Sequence, residues 1–135
     1  MTSVKKIAIF GFFMLFLSLF TSNTVTAQTA EKNVTIIELI QTPGVFTTQE
    51  LNLKPGKYQF RIVNQNVDHE LGFVIQKAED AGKDVMKNNV PNSFASKTVK
   101  AGEAAYTGVV DFTAAGDYVY ICPLNPTPHY KIKVQ

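Results

Sequence analysis

The sequence predicts an all-β fold: one domain closed as a sandwich of two sheets. Three observations predict it. Short runs rich in Val, Ile, Tyr, Phe and Thr recur along the chain, Pro-Gly and Ala-Gly pairs separate several of them, and inside the runs apolar side chains fall on every second residue.

The runs lie at 34–40, 57–64, 71–76, 106–112, 117–122 and 130–134, with turn chemistry at Pro55-Gly56, Ala101-Gly102 and Ala115-Gly116. Alternation puts Tyr58, Phe60 and Ile62 on one face of their strand, and Tyr118, Tyr120 and Cys122 on one face of another. The segment 77–92 breaks the pattern. It is polar, carries no alternation long enough for a strand, and reads as a loop with a helical turn or two. No internal repeat or low-complexity tract is present.

The N-terminus reads as a targeting segment. Lys5 and Lys6 precede an unbroken apolar run over 7–20, and small polar residues then lead to Val25-Thr26-Ala27. The run is shorter than the roughly 18 or more residues of a membrane-spanning helix, so residues 1–27 read as a signal peptide cleaved after Ala27, leaving one domain over 28–135. No cysteine stands near the cut to carry a lipid, so a periplasmic or secreted chain with no membrane anchor is expected. The formal net charge of +2 comes from the two leader lysines; without them the charges balance. With no basic run and no Gly-rich phosphate loop, nucleic acid is excluded as a partner.

Chemistry-bearing residues are few. The chain has one cysteine, Cys122, and two histidines, His69 and His129. A lone cysteine in an exported protein cannot form an internal disulfide; it is either a buried small hydrophobe or a metal ligand. His69 precedes Leu71-Gly72-Phe73-Val74-Ile75 and shares strand parity with Leu71, Phe73 and Ile75, so alternation would turn it inward. Cys122 ends one strand and His129 opens the next after Pro123-Leu124-Asn125-Pro126-Thr127-Pro128, which brings both to the same pole of the sandwich. Against these readings stand the plain ones: a solvated histidine at a strand start and an inert core thiol.

Over nearly all of 28–135 the sequence resembles the cupredoxins, the blue copper proteins. The resemblance rests on Pro55-Gly56-Lys57-Tyr58-Gln59-Phe60 with Val63-Asn64, on Asp68-His69-Glu70-Leu71, on Ala115-Gly116-Asp117-Tyr118-Val119-Tyr120-Ile121-Cys122-Pro123, and on the closing Lys131-Ile132-Lys133-Val134. It implies a Greek-key sandwich, and one type 1-like copper ion with His69 and Cys122 at two ligand positions; His129 is the candidate third ligand across a longer loop, or else an ordinary surface residue of the last strand. Thiolate suits Cu(I), imidazole suits both oxidation states, and a His₂Cys set suits one-electron transfer. Two departures bear on this. The family sets its second histidine two to four residues beyond the cysteine, where Asn125 stands here, and no methionine follows Cys122.

The functional expectation is a monomeric copper-binding protein of the bacterial envelope, not an enzyme, that transfers single electrons to a redox partner. Two alternatives stay open: a copper storage or delivery module with a copper donor or acceptor as partner, and a metal-free sandwich whose site has been lost. Leu124 and the prolines around it are the expected docking patch.

Overall fold

The computed structural model describes residues 33–125 and 127–135; the signal peptide expected over 1–27 lies outside them. Nine strands form: β1 (Thr35–Thr42), β2 (Val45–Phe46), β3 (Glu50–Leu53), β4 (Gly56–Asn64), β5 (Val74–Lys77), β6 (Ala104–Tyr106), β7 (Val110–Phe112), β8 (Gly116–Ile121) and β9 (Tyr130–Val134). The first sheet runs β2-β1-β4-β6, with β7 also pairing β4; the second runs β3-β9-β8-β5. The expected all-β sandwich is therefore present, with the crossed connections of a Greek key. Successive strands change sheet between β2 and β3, β3 and β4, β4 and β5, β5 and β6, and β7 and β8, which lets β1 lie parallel to β4 and β3 parallel to β9. Among the described residues no helix is long and apolar enough to cross a membrane.

Alternation decides which side chains meet between the sheets. Leu39, Phe60, Ile62, Phe112, Tyr120, Tyr130, Ile132 and Val134 all face inward and are buried, joined by Phe46 of β2 and by Phe73 from the connection before β5. The rings of Phe46, Phe73, Tyr120 and Tyr130 contact one another edge-on or stacked, with centroids 5.2–6.1 Å apart. Two tyrosine hydroxyls fasten the β2 turn to this cluster. The Phe46 N–H donates to the Tyr130 hydroxyl (3.0 Å), and the Tyr120 hydroxyl donates to the Thr48 carbonyl (2.5 Å).

The structure departs from the expected strands in three places. β2 is too short to show alternation, and β3 alternates over only four residues, Leu51 and Leu53 inward and Glu50 and Asn52 exposed, so neither stood out as a run. The run at 106–112 is broken because the Thr107 hydroxyl accepts the Phe60 N–H (3.0 Å) and donates to the Gly108 carbonyl (2.7 Å), replacing a ladder rung with a side chain. The run at 71–76 is strand only from Val74; before it, Leu71 makes a single bridge to Val99.

The segment 77–92 is irregular, as expected, with one 3₁₀ turn over Ala78–Asp80. It folds over the outer face of the second sheet. Gln76 Nε2 donates to the Lys83 carbonyl (3.2 Å), the Val90 N–H donates to the Ile75 carbonyl (2.8 Å), and Ser93 Oγ both accepts from and donates to Ile75. Val74 and Gln76 are thereby buried on the side away from the main core, and the open edge of β5 is covered.

Two measurements follow from the tyrosine pair. Tyr130→Phe leaves the buried Phe46 N–H without an acceptor and is expected to cost about 2 kcal/mol in urea unfolding, whereas Tyr120→Phe frees a half-buried carbonyl that water can reach, and costs less. Burial, with Tyr130 beside it, pushes the Tyr120 hydroxyl above the ordinary phenol range. The folded state then keeps a proton that the unfolded chain releases above about pH 10, so stability is whole below that pH and is lost as pH rises past it. Tyr120→Phe should flatten that part of a stability-against-pH curve; an unchanged alkaline limb would assign it to other groups.

Candidate metal centre

Cys122 follows β8, whose inward positions Tyr118 and Tyr120 set the parity that turns its thiol into the interior. It is 4% exposed. Its own N–H donates to the Thr127 hydroxyl (3.2 Å), which folds the proline-rich loop back over the strand end. Its Sγ accepts the Gly72 N–H at 3.3 Å. Glycine eases that approach, because a Cβ at position 72 would stand 3.1 and 3.2 Å from Cγ and Cδ of Pro123, closer than ordinary van der Waals contact.

The chain is brought to Gly72 by Asn64, the last residue of β4. Its buried side chain donates from Nδ2 to the carbonyls of His69 and Val99 (3.1 Å each), and its Oδ1 accepts the Val67 N–H (2.9 Å). His69 therefore sits in a turn, three residues before the N–H that touches the sulfur. It does not continue the inward parity of Leu71 and Phe73: Asn66 adopts φ 64°, the segment turns, and the His69 side chain is 47% exposed. Its Nδ1 lies 3.0 Å from Asp68 Oδ1. The hydrogen bond from His69, with its charge, holds the Asp68 carboxyl below the ordinary carboxylate value. In the neutral imidazole with its proton on Nδ1 toward the carboxylate, Nε2 would carry the free lone pair, the arrangement that orients a ligating imidazole.

His129 is placed differently. Tyr130, which follows it, faces the core opposite Tyr120, and His129 itself is exposed on the other side, its Cε1 3.9 Å from the position a Cβ would take on Gly82 in the outer loop. The structure brings the 69–72 segment to Cys122 and leaves His129 on the outer face of the second sheet. Among the described residues no group of three or more His, Cys, Asp and Glu side chains gathers around one point. Thiol and imidazole are the donor types that suit a soft ion such as Cu(I).

Two further polar residues mark this end of the molecule, and neither stood out in the sequence. Among the described residues Gln41, wholly buried, has no hydrogen-bond partner for Nε2 or Oε1, and buried Asn125 has none for Nδ2. For Gln41 the only signal was a polar residue at an inward position of the alternating run Leu39-Ile40-Gln41. Asn64 lay within a matched stretch and Asn125 stood where the resemblance expects a histidine, but nothing marked either as buried.

Three solved structures resemble this one. Auracyanin A, a "blue" copper protein from Chloroflexus aurantiacus, matches at TM-score 0.58 and 20% identity over 76% of this chain and 100% of that one. Dithionite-reduced auracyanin from Roseiflexus castenholzii matches at 0.57 and 17% over 75% and 97%. An azurin from Methylomonas sp. strain J matches at 0.53 and 11% over 75% and 98%. The fold is cupredoxin-like. No family model and no curated protein matches the chain.

The Gly72 contact can be tested through the thiol. Gly72→Ala pushes against Pro123 and should loosen the loop over Cys122, so that a disulfide reagent such as DTNB modifies the native variant at least several-fold faster than the slow wild type. Equal rates would mean that the loop shields Cys122 without the Gly72 packing.

Proposed function

We propose that this chain is an envelope copper-handling module of cupredoxin-like fold, which holds one Cu(I) ion on Cys122 with His69 and passes it to a partner. The observation that carries the reading is the pairing, at one pole, of a buried sulfur that accepts a backbone N–H with the nearby segment bearing an imidazole whose Nδ1 is already engaged. Uptake would exchange the Cys122 proton for the ion, the proton leaving to solvent. The Gly72 N–H supports charge on the sulfur, and Asp68 keeps His69 Nε2 turned outward as a donor. Linear or low-coordinate thiolate and imidazole binding is a preference of Cu(I), and it leaves room for a partner's ligand to enter during transfer.

This reading is favoured over an electron carrier because His129 is exposed beside Gly82, a position that supports it less well as the third donor. Export by the 1–27 leader would place the module where such a partner could meet it. Leu124, 51% exposed in the loop that follows Cys122 and set against Gly72, offers an apolar contact for that partner next to the site.

The test is a competition titration of the 28–135 chain with a chromophoric Cu(I) chelator, beside a Cu(II) absorption spectrum. Wild type should bind one Cu(I), Cys122→Ser should abolish binding, His69→Ala should weaken it by roughly 10-fold or more, and His129→Ala should leave it unchanged. An intense thiolate-to-Cu(II) band that disappears in His129→Ala would restore the electron-transfer reading. No Cu(I) binding at all would make the chain a metal-free sandwich.

A further inference from the structure

We infer that the outer edge of β1 docks a second copy of this chain, the two β1 strands joining antiparallel so that the first sheets of both copies run on as one. That edge is open along most of its length. β1 pairs β4 from Thr35 to Gln41, but on its other side β2 reaches only Gln41 and Thr42. Thr47, just beyond β2, donates to the Ile40 carbonyl (2.9 Å), while the Gln41 carbonyl accepts the Gln65 N–H on the β4 side (2.8 Å). Backbone groups alternate between the two sides of a strand, so the N–H and C=O of Ile36 and Glu38 point away from β4. Among the described residues none of these four groups has a partner.

The other edges are blunted. β5 lies beneath the 77–92 segment, and β6 is held from outside, where the Tyr106 carbonyl accepts the Ser96 N–H (2.8 Å) and Ala95 bridges Thr107. β3 has only four residues, with Glu50 and Asn52 exposed, and runs into Lys54-Pro55; β2 and β7 are two and three residues long. Short strands, charges and prolines are the means by which sheet edges avoid joining. β1 uses none of them. It is an eight-residue strand, TIIELIQT, rich in β-branched residues and free of Pro and Gly, and its Ile36 is 58% exposed. Its one charged side chain, Glu38, is paired with Arg61 of β4 and so repels no incoming strand.

The edge is complementary to itself. A two-fold axis at Ile36 lets its N–H and C=O bond those of the copy's Ile36 and sets the copy's Ile37 opposite Thr35. The two exposed Ile36 side chains then meet and leave water. The same axis places the two Glu38 on opposite sides of it, each with its own Arg61, so no like charges face each other across the seam. The contact is small, and a dimer built on it is weak and reversible. It replaces the monomer expected from the sequence, and it does not rest on the copper reading.

The experiment is sedimentation velocity of the 28–135 chain over a concentration series, beside Ile36→Lys, which sets like charges face to face at the axis, and beside a 33–135 chain. Wild type should pass from monomer to dimer by about 100 μM, as suits a small interface. Ile36→Lys should weaken dimerisation by roughly 10-fold or more while keeping the wild-type far-UV circular dichroism, since the side chain it replaces is exposed. Cross-linking supplies a second reading that does not depend on that variant: in a Cys122→Ser background, Ile36→Cys should give a disulfide-linked dimer under mild oxidation, and Val45→Cys, also exposed but off the axis, should not. A wild type that stays monomeric, a dimer that Ile36→Lys leaves intact, or no link through Ile36→Cys overturns the inference. A dimer formed by the 33–135 chain alone would put residues 28–32 on the edge in place of a copy, and overturns it too.

Discussion

The buried side chain of Asn64 is the tie on which the Cys122 end of the molecule depends. It closes β4 at an inward position, and its three hydrogen bonds reach three separate backbone groups, at Val67, His69 and Val99. The Val67 N–H is buried, where an unmet donor costs about 1–3 kcal/mol, and the other two bonds pin the chain on either side of it. The turn after β4 is thereby locked to the strand that precedes it and to the Val99 segment that follows. Leu71 then bridges Val99 in both directions, and the next residue, Gly72, arrives with its N–H on the sulfur. One amide side chain thus converts a nine-residue connection between the sheets into a fixed wall of the candidate site.

The opposite wall comes from the second sheet and is fixed by rings. Tyr120 and Tyr130 stack at 5.2 Å across β8 and β9, and Phe46 meets both edge-on while its N–H is held by Tyr130. This cluster sets the height at which β8 ends and so the depth of Cys122. Because Phe46 is also the ladder partner of Gln41, the same contacts couple the first strand to the thiol pole. Packing of this kind is stiff, and a site bounded by it moves little when an ion enters or leaves.

Much of the fold was legible because it rests on period-two alternation, which leaves its mark in sequence. Tyr58, Phe60 and Ile62, and Tyr118, Tyr120 and Cys122, face the core as their spacing required. Two-residue β2 carries no period, and the break at Thr107 depends on a hydroxyl that outcompetes the ladder, which no pattern announces. Of the candidate site, the depth of Cys122 was legible, while the inward turn expected of His69 was lost to a left-handed Asn66 between it and β4. Gln41 was hidden for a different reason. A polar residue on a buried face looks like a lapse in the pattern until its neighbours across two ladders are known.

The position of His129 shows how sharply a strand decides chemistry. In β9 the side chains of Tyr130, Ile132 and Val134 are inward, so the residue immediately before Tyr130 falls on the outer side, where the loop through Gly82 meets it. A short loop between β8 and β9 is enough to bring Cys122 and His129 to one pole, but pole and face are separate coordinates. Loop length fixes the first, and the parity of β9, anchored by the Tyr120 and Tyr130 pair, fixes the second. A shift of one residue would exchange the faces, yet it would also turn Tyr130 out of the core and strand the Phe46 N–H. The core therefore holds the histidine on the outer side of the second sheet.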